Sequence, residues 1–409
     1  MDSRTLSLKQ LRADFGGYGL LAQGQLQQGE QGEWKLVQLS GQSLGAFSNT
    51  DLLSLWPVKA ADGARRWIDR SVTRAALSNL KFDLDMNEEL FSGRLPRPEE
   101  MQVSFDVEEA DINYIQTMTP YLGVSGQGLI SGNRGTFTGT GGRVGTIAVR
   151  EAVATLPELF RVGSDINITV KADGQAQELI SLIDQKPFEF ASKYGVNPND
   201  FDGEGDVTLD ITRPLLVHFD QSRILFSAKG AFKNASAPFS IGAHKLKNAD
   251  VNFTADRQGM SVQGPASIGA WRTQLEWAEI FDYGATPTRY RVSGTLDRDT
   301  LDSLGVGFRS NYDGIINLDI EALGQGLELS SGQITADLTA ATFNFMPHWS
   351  KEAGVAGKFV GNLVRSKTGG MHFPNLSITA PGLDMRGSLS LADNFRLLNL
   401  DFDLSLIHI

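Results

Sequence analysis

The stretch Ala249-Asp-Val-Asn-Phe253 has two relatives in this chain, Ala110-Asp-Ile-Asn-Tyr114 and Ala341-Thr-Phe-Asn-Phe345. In each copy the first, third and fifth residues are apolar, and the second and fourth are polar. Because strand side chains alternate between two faces, each copy predicts a strand with one apolar face and one solvated face. Asp106 and Asp337 each precede the shared alanine by four residues, which extends the match between the first and third copies. A repeated one-faced strand predicts an extended β-sheet whose function resides in a surface.

Composition supports a mainly β protein. The 409 residues include 44 glycines, about 11% against a typical ~7%. Alternating runs separated by glycine-bearing turns recur along the chain at the spacing of a β-meander. They include 80–85, 102–107, 165–171, 206–212, 315–321, 333–339 and 375–380.

A few short helices interrupt the strands. Helical apolar spacing predicts one near 60–77, with the stripe Ala64, Trp67, Ile68, Val72 and Ala75. Asp62 stands four residues before Arg66, which is a helical ion-pair spacing. A second helix is predicted near 175–194 and a third near 297–304, where Gly305 is the expected C-cap. The acidic segment Gly195–Gly205, with Pro198, is the predicted linker between two halves of the chain.

Charge and cysteine content exclude several classes of function. The net charge of −11 leaves no basic stripe for phosphates, so nucleic acid is not an expected partner. The absence of cysteine excludes disulfides, thiolate metal sites and cysteine nucleophiles, and it fits an oxidising compartment such as a periplasm. No apolar run reaches the ~20 residues that cross a bilayer.

Motifs that could carry catalysis or a cofactor are weak. Gly41-Gln-Ser-Leu-Gly45 fits a nucleophile-elbow pattern, but Ala46–Thr50 reads as a poor start for the required helix. Asp200–Asp206 resembles a calcium loop, yet Ile211 stands where the pattern demands glutamate. Gly139–Gly145 is glycine-rich without being a phosphate-binding motif. The five histidines are scattered, at His218, His244, His348, His372 and His408. We therefore expect no catalytic residue, no metal site and no cofactor.

Several phrases, in order, resemble a bacterial family. They are Leu55-Trp-Pro57 with the helix Ala64–Ile68, then Gly230–Ala235 through Val251–Thr254 and Gly259–Gly264, and finally Asp337–Phe345, Trp349–Gly357 and Gly382–Leu389. Together they cover most of residues 50–404 and are similar to AsmA-like proteins with a DUF3971, or YhdP-type, central region.

The resemblance implies a long, twisted antiparallel sheet curled into an open trough with an apolar interior. It implies a non-enzymatic conduit that moves phospholipids between the inner and outer membranes, in the periplasm of a Gram-negative bacterium. Its expected partners are phospholipid or another acyl-chain lipid, the inner membrane through a missing N-terminal anchor, and envelope proteins. On this reading, 1–57 are strands continuing from that anchor, 58–197 a first β-unit, and 198–409 a second, truncated one. Ser405–Ile409 are expected to be non-native.

The apolar members of the repeated phrase are the candidate lining of the trough. They are Ile112, Tyr114, Val251, Phe253, Phe343 and Phe345. The same alternation also builds the closed core of an ordinary β-sandwich, and periodicity alone favours that core. The alternative function is therefore a structural or regulatory scaffold that affects outer-membrane assembly through protein contacts. A third hypothesis, a hydrolase built on Ser43, predicts labelling by a fluorophosphonate that Ser43→Ala abolishes.

Overall fold

A computed structural model shows a mainly β protein with a few short helices, which confirms the expected fold class. The strand pairings of the described residues are antiparallel. The structure describes residues 4–29, 32–56, 61–85, 90, 93–186, 188–193, 196–216, 219–241, 244–281, 288–304, 311–326, 328–345, 349–366, 370–392 and 396–406.

The chain divides into two compact units. Unit 1 comprises Met1–Gly174, Gln185–Pro187 and Val207–Ser227. Unit 2 comprises Gln175–Asp184, Phe188–Asp206 and Ala228–Ile409.

Unit 1 is an antiparallel meander with two helices inserted in it. Each strand pairs mainly with its neighbour in sequence, and β3 pairs with β5 across the helices, as short connections favour. Its helices are α1 (Asn49–Leu55) and α2 (Asp62–Ser71). Its strands are β1 (Thr5–Asp14), β2 (Gly19–Gln28), β3 (Trp34–Leu44), β4 (Phe47–Ser48), β5 (Val72–Asp85), β6 (Met101–Ile112), β7 (Tyr121–Ser131), β8 (Arg134–Thr140), β9 (Arg143–Val144), β10 (Ile147–Leu156) and β11 (Asp165–Gln175).

Unit 2 is also an antiparallel meander, and it contains a separate three-stranded sheet formed by β18 (Tyr312–Gly314), β21 (Ala341–Phe345) and β22 (Trp349–Lys351). Its helices are α3 (Ala176–Ile183), α4 (Phe190–Lys193) and α5 (Arg298–Ser303). Two strands contain residues of both units, β12 (Asp202–Pro214) and β13 (Leu225–Ile241). The others are β14 (His244–Asp256), β15 (Gly259–Ile268), β16 (Trp271–Ile280), β17 (Thr288–Leu296), β18 (Tyr312–Gly314), β19 (Ile316–Gln325), β20 (Glu328–Asp337), β21 (Ala341–Phe345), β22 (Trp349–Lys351), β23 (Lys358–Arg365), β24 (Met371–Ala380), β25 (Leu383–Leu391) and β26 (Leu397–Leu406).

Several strands contain a bulge that shifts the alternation by one residue. Asn79, Glu109 and Asn248 each have a positive φ near 50°, and the strand register shifts at or next to each of them. A bulge inserts one unpaired residue and bends the strand. Leu77 and Leu80 therefore both lie on the apolar face of β5, although they are three residues apart.

The helix predicted near 60–77 is shorter than expected. It begins at Asp62 and ends at Ser71, and the predicted i,i+4 ion pair forms between Arg66 and Asp62 at 2.9 Å. Val72 and Ala75, which were assigned to its apolar stripe, instead belong to β5, where Ala75 is buried. Strand pairing with β6 outweighs the local helical spacing here.

The prediction that Ala46–Thr50 is a poor start for a helix is wrong. Ser48 caps α1: its Oγ accepts a hydrogen bond from the Asp51 N–H at 3.1 Å, and its own N–H donates to Asp51 Oδ2 at 2.9 Å. This reciprocal pair is a capping box, with aspartate in the place of the usual glutamate. The helix predicted near 175–194 is observed as α3 and α4, and that near 297–304 as α5. Pro57, Ala60, Tyr194, Gly195 and Gly305 lie outside the described residues.

The largest buried cluster lies in unit 2, on one face of β14–β17. Trp271 is 1% exposed, and Ile268 is fully buried beside it. Helix α5 covers this cluster with Leu301, while Leu304, immediately after the helix, is itself a buried member. Burial of each large apolar side chain contributes roughly 1.5–3 kcal/mol, so this cluster is the main hydrophobic core of unit 2.

Candidate functional site

In each unit one face of the sheet carries the buried apolar side chains; we call it the inner face, and its opposite the outer face. Strand register aligns apolar and glycine residues in rows across the inner face. One row of unit 1 runs through Ala22, Gly41, Phe82, Val103 and Ile130. One row of unit 2 runs through Val262, Trp277, Tyr290, Ala322, Gly332 and Leu363.

Much of the inner face is only half-covered. In unit 1, Leu39, Leu84 and Ile130 are half-buried. The inner-face leucines of β1 are more exposed still, at Leu6, Leu8 and Leu11. In unit 2, Leu400 and Leu404 of β26 are 51% and 56% exposed. Apolar surface of this extent is thus accessible on the inner faces of both units.

Phenylalanine rings lie against inner-face glycines of the neighbouring strand. Phe82 lies over Gly41 and Phe105 over Gly128 in unit 1; Phe253 lies over Gly230 and Phe402 over Gly387 in unit 2. A Cβ added at any of these glycines would overlap the ring. Glycine on the strand is therefore required for close approach of the ring, and the result is a smooth apolar floor.

The outer face is polar and carries cross-strand ion pairs. Arg74 Nε donates to Asp111 Oδ2 at 2.8 Å, and Arg291 Nη2 donates to Asp319 Oδ2 at 2.6 Å. The hydrogen bond from Arg74 holds the pKa of Asp111 below its usual value. Such exposed pairs contribute about 0–1 kcal/mol each, so their main effect is to keep this face in water.

The second copy of the repeated phrase lies on the inner face of unit 2, as the alternation predicts. Val251 is buried among the residues of the main cluster. Phe253 is half-buried and stacks on Phe232 with ring centroids 5.2 Å apart. Asp250 and Asn252 between them are exposed on the outer face.

The first copy follows the expectation only in part. Ala110 is buried and Ile112, the last residue of β6, packs against the cluster around Phe47. The strand ends at Ile112, and the Asn113 N–H donates to the carbonyl of Ser71, the last residue of α2. Tyr114 thus lies beyond the strand and is more than a third exposed, so the prediction of a strand through Tyr114 is wrong.

The third copy belongs to the small three-stranded sheet. Phe343 and Phe345 lie on β21, where they pack with Tyr312 and Trp349 at centroid distances of 5.5–6.4 Å. Lys351 is buried in the same sheet: its Nζ donates to the carbonyls of Thr339, Ala341 and Glu352 at 2.7–3.3 Å. Burial lowers the Lys351 pKa. The structure therefore does not bring the six candidate lining residues together on one sheet.

The serine of the nucleophile-elbow pattern is part of a strand ladder. Ser43 lies within β3, opposite Leu20, and its Oγ accepts a hydrogen bond from the Leu80 N–H at 3.1 Å. A helix does follow at Asn49, but Ser43 does not stand at a strand-to-helix turn. Its hydroxyl has a structural role at the β3–β5 junction.

The remaining motifs resolve into turns. Asp200 ends a 3₁₀ turn, Pro198–Asp200, and β12 begins two residues later. Gly141 and Gly142 have positive φ values in the turn between β8 and β9. Within the described part of the chain, no three His, Asp or Glu residues are placed to hold a metal ion. His372 Nδ1 pairs with Ser390 Oγ at 2.9 Å, while His218, His348 and His408 lie outside the described residues.

A buried carboxyl group on the inner face of unit 2 was not foreseen. Glu279 is 5% exposed, and Thr288 beside it is fully buried. Acidic residues had been expected on solvated strand faces. Strict alternation along β16, counted from Trp271, nevertheless places Glu279 on the inner face. Its position in the strand alone therefore predicts an inward side chain.

Among the described residues no helix is both long and apolar enough to span a bilayer. Comparisons with family models, with curated proteins and with solved structures found no match to this chain.

Proposed function

We propose that this protein is a non-enzymatic lipid conduit whose inner faces hold acyl chains. The observation that supports this is the accessible apolar floor in both units, opposed by a polar outer face. An acyl chain on such a surface avoids water, which contributes about 0.8 kcal/mol per buried methylene. Because neighbouring rows of apolar residues are similar, an acyl chain could move from one row to the next without entering a deep energy minimum.

The cargo that we propose is phospholipid, carried between the inner and outer membranes across the periplasm of a Gram-negative bacterium. The phrases that resemble AsmA-like proteins support this setting. Headgroups would lie at the margin of an apolar trough. A bilayer shields acyl chains equally well, so transfer between the two environments costs little free energy.

One observation favours the scaffold alternative. The inner face of β14–β17 is closed by its own side chains, since Trp271, Ile268 and Val292 are almost fully buried. A protein closed in this way throughout would act through protein contacts at its surface. The two functions therefore differ in whether lipid binds at the half-covered positions.

The test is native mass spectrometry of the full chain after incubation with phospholipid vesicles. Leu39→Glu in unit 1 and Leu400→Glu in unit 2 place a charge on accessible inner-face positions. Gln38→Glu and Asn399→Glu place the same charge on the outer face, one residue away. We expect bound phospholipid to fall several-fold in the inner-face variants and to be unchanged in the controls. Transfer of labelled phospholipid from donor to acceptor vesicles should follow the same order.

Folded wild-type protein that takes up no phospholipid would contradict the conduit and favour the scaffold. Equal binding by all four variants would show that lipid binds elsewhere than on the inner face. Unfolding midpoints of the variants are needed beside these measurements, because a charge that unfolds a unit would also abolish binding.

A further inference from the structure

Glu279 is an ionisable side chain on the most apolar surface of unit 2. In β16 the inner-face positions are Trp271, Thr273, Leu275, Trp277 and Glu279. The carboxyl group of Glu279 is 95% buried, in a position where alternation would otherwise place another apolar residue. Burial of a carboxylate is costly unless it is paired and hydrogen-bonded.

Only half of this carboxyl group is satisfied. Thr288 stands directly opposite Glu279 in the strand register, and its Oγ1 donates to Glu279 Oε2 at 2.6 Å. The other oxygen, Oε1, is buried and has no hydrogen-bond partner among the described residues. The Thr288 hydroxyl thus fixes the carboxyl group while leaving Oε1 free to accept.

The arginines of the adjacent strand do not neutralise it. Arg289 and Arg291 flank Tyr290 on β17 and are exposed, on the outer face. Arg291 forms its ion pair with Asp319. No Lys, Arg or His of the described chain makes an ion pair with Glu279. A compensating positive charge must therefore come from outside these residues if the carboxylate is ionised.

Aromatic rings surround this position. Trp277 and Tyr290 stack with centroids 5.8 Å apart, and Phe239 lies 5.6 Å from Tyr290. The Tyr290 hydroxyl donates to the Gly326 carbonyl at 2.6 Å, so its proton is not offered to Glu279. Burial and the charge of Glu279 raise the Tyr290 pKa. Trp277 Nε1 is a second buried polar atom here that has no hydrogen-bond partner in the described part of the chain.

This combination suits an organic cation. Aromatic faces attract cations, and a carboxylate oxygen accepts a short, charge-assisted hydrogen bond from an ammonium group. The unpartnered Trp277 N–H adds a donor for an oxygen of the same ligand. A divalent metal fits poorly, because the described residues offer it no set of three acidic or histidine ligands.

We propose that Glu279, with Trp277 and Tyr290, binds a primary ammonium group. The inference rests on the proposed function in one respect: the ammonium is taken to be the headgroup of a lipid whose acyl chains lie on the inner face. Glu279 and Thr288 form the last cross-strand pair of β16 and β17, at the end of these strands away from Trp271, and Met260, the partner of Glu279 on β15, is half-buried. Its unbranched thioether side chain is flexible enough to move aside.

The experiment offers the full chain an equimolar mixture of phosphatidylethanolamine and phosphatidylglycerol with identical acyl chains. Native mass spectrometry then measures the ratio of the two lipids bound. We expect wild-type protein to enrich phosphatidylethanolamine about tenfold, the scale of one added hydrogen bond to a charged group. Glu279→Gln should bring the ratio close to that of the mixture without reducing total lipid.

The matched control is Glu276→Gln, the same substitution on the exposed face of the same strand. It should retain the wild-type ratio. Thr288→Val, which removes the hydroxyl that holds Oε2, should lower the enrichment by a smaller factor. Unfolding midpoints of all variants establish that the comparison is between folded proteins.

The outcomes separate this inference from the proposed function. Lipid bound without enrichment, or enrichment retained in Glu279→Gln, overturns the ammonium site and leaves the conduit standing. If folded protein binds neither lipid, the lipid-conduit proposal is wrong. Titration with ethanolamine alone then tests whether Glu279 binds an ammonium group. Ethanolamine that binds wild type but not Glu279→Gln supports a site for a soluble amine; no binding overturns it.

Discussion

Two regions of unit 2 share one strand pattern and differ in how their inner faces are covered. In β14–β17 most inner-face side chains are buried, with Trp271 at 1% exposure. In β25 and β26 they are half-buried or exposed, up to 56% at Leu404. Both regions are antiparallel ladders with apolar and polar residues in alternation. Alternation therefore determines which face is apolar, and does not determine whether that face is closed.

What closes the first region is added side-chain volume. The indole of Trp271 lies against Gly294 on the neighbouring strand, and helix α5 brings Leu301 onto the cluster from outside the sheet. In β25–β26 the Phe402 ring lies over Gly387 instead, and it covers the sheet without filling the space above it. A closed core and an open apolar floor thus arise from the same ladder.

The largest expected effect comes from reopening the closed region. Trp271→Ala removes a fully buried indole and leaves a cavity, so we expect the free energy of unfolding to fall by about 3–5 kcal/mol. Trp34→Ala is the control, since that side chain is 47% exposed and its loss should change stability little. Urea denaturation followed by far-UV circular dichroism measures both. A loss of less than ~1 kcal/mol for Trp271→Ala would show that the inner face of β14–β17 is not a packed core.

Much of the fold could be predicted from the sequence, because alternation and turn glycines are local signals. The antiparallel strands, the short helices and the inner-face positions of Val251 and Phe253 follow from them. Bulges could not be placed in this way. At Asn79 and Asn248 the alternation of side chains shifts by one residue where the strand pairs with another strand. Such pairing depends on residues distant in sequence, so local patterns do not reveal it.

The candidate site was predicted less well, for a related reason. Similar phrases pair with different strands: Ile112 ends its strand, whereas Phe343 lies in a separate sheet. The sequence shows the apolar side of each phrase but not which strands lie beside it. Glu279 was missed because a charged residue is usually exposed, although alternation along β16 places it on the inner face.

A second prediction concerns the floor of the open region. A Cβ at Gly387 would overlap both the Asp401 carbonyl oxygen and the Phe402 ring, so Gly387→Ala forces β25 and β26 apart. We expect a loss of about 1–3 kcal/mol, smaller than for Trp271→Ala. At Gly361 the nearest atoms are ring carbons of Phe359 and Phe373 at 3.3 Å, which can shift. Gly361→Ala should therefore cost less than ~1 kcal/mol, and the reverse order would show that the Phe402 ring does not form a fixed floor.

The smallest expected effect is a pH dependence in the helix that closes the first region. Asp297 caps α5 by accepting a hydrogen bond from the Thr300 N–H at 2.8 Å, and hydrogen bonds from the Thr300 side chain and backbone lower the Asp297 pKa. A carboxyl group whose pKa is lower in the folded state stabilises the protein above its unfolded pKa, and that contribution is lost as the pH falls. Asp297→Asn keeps a side-chain cap but removes the charge.

Wild type should therefore be more stable than Asp297→Asn at neutral pH, and the difference should shrink between about pH 5 and pH 3. Denaturation midpoints across this range measure it. Asp299→Asn removes the same charge from the first turn of α5 without removing the cap, and it is the matched control. A difference for Asp297→Asn that is constant with pH would mean that the cap acts through its geometry alone. The closure of β14–β17 would then depend on packing by Leu301 and Leu304, without an electrostatic contribution from the helix N-terminus.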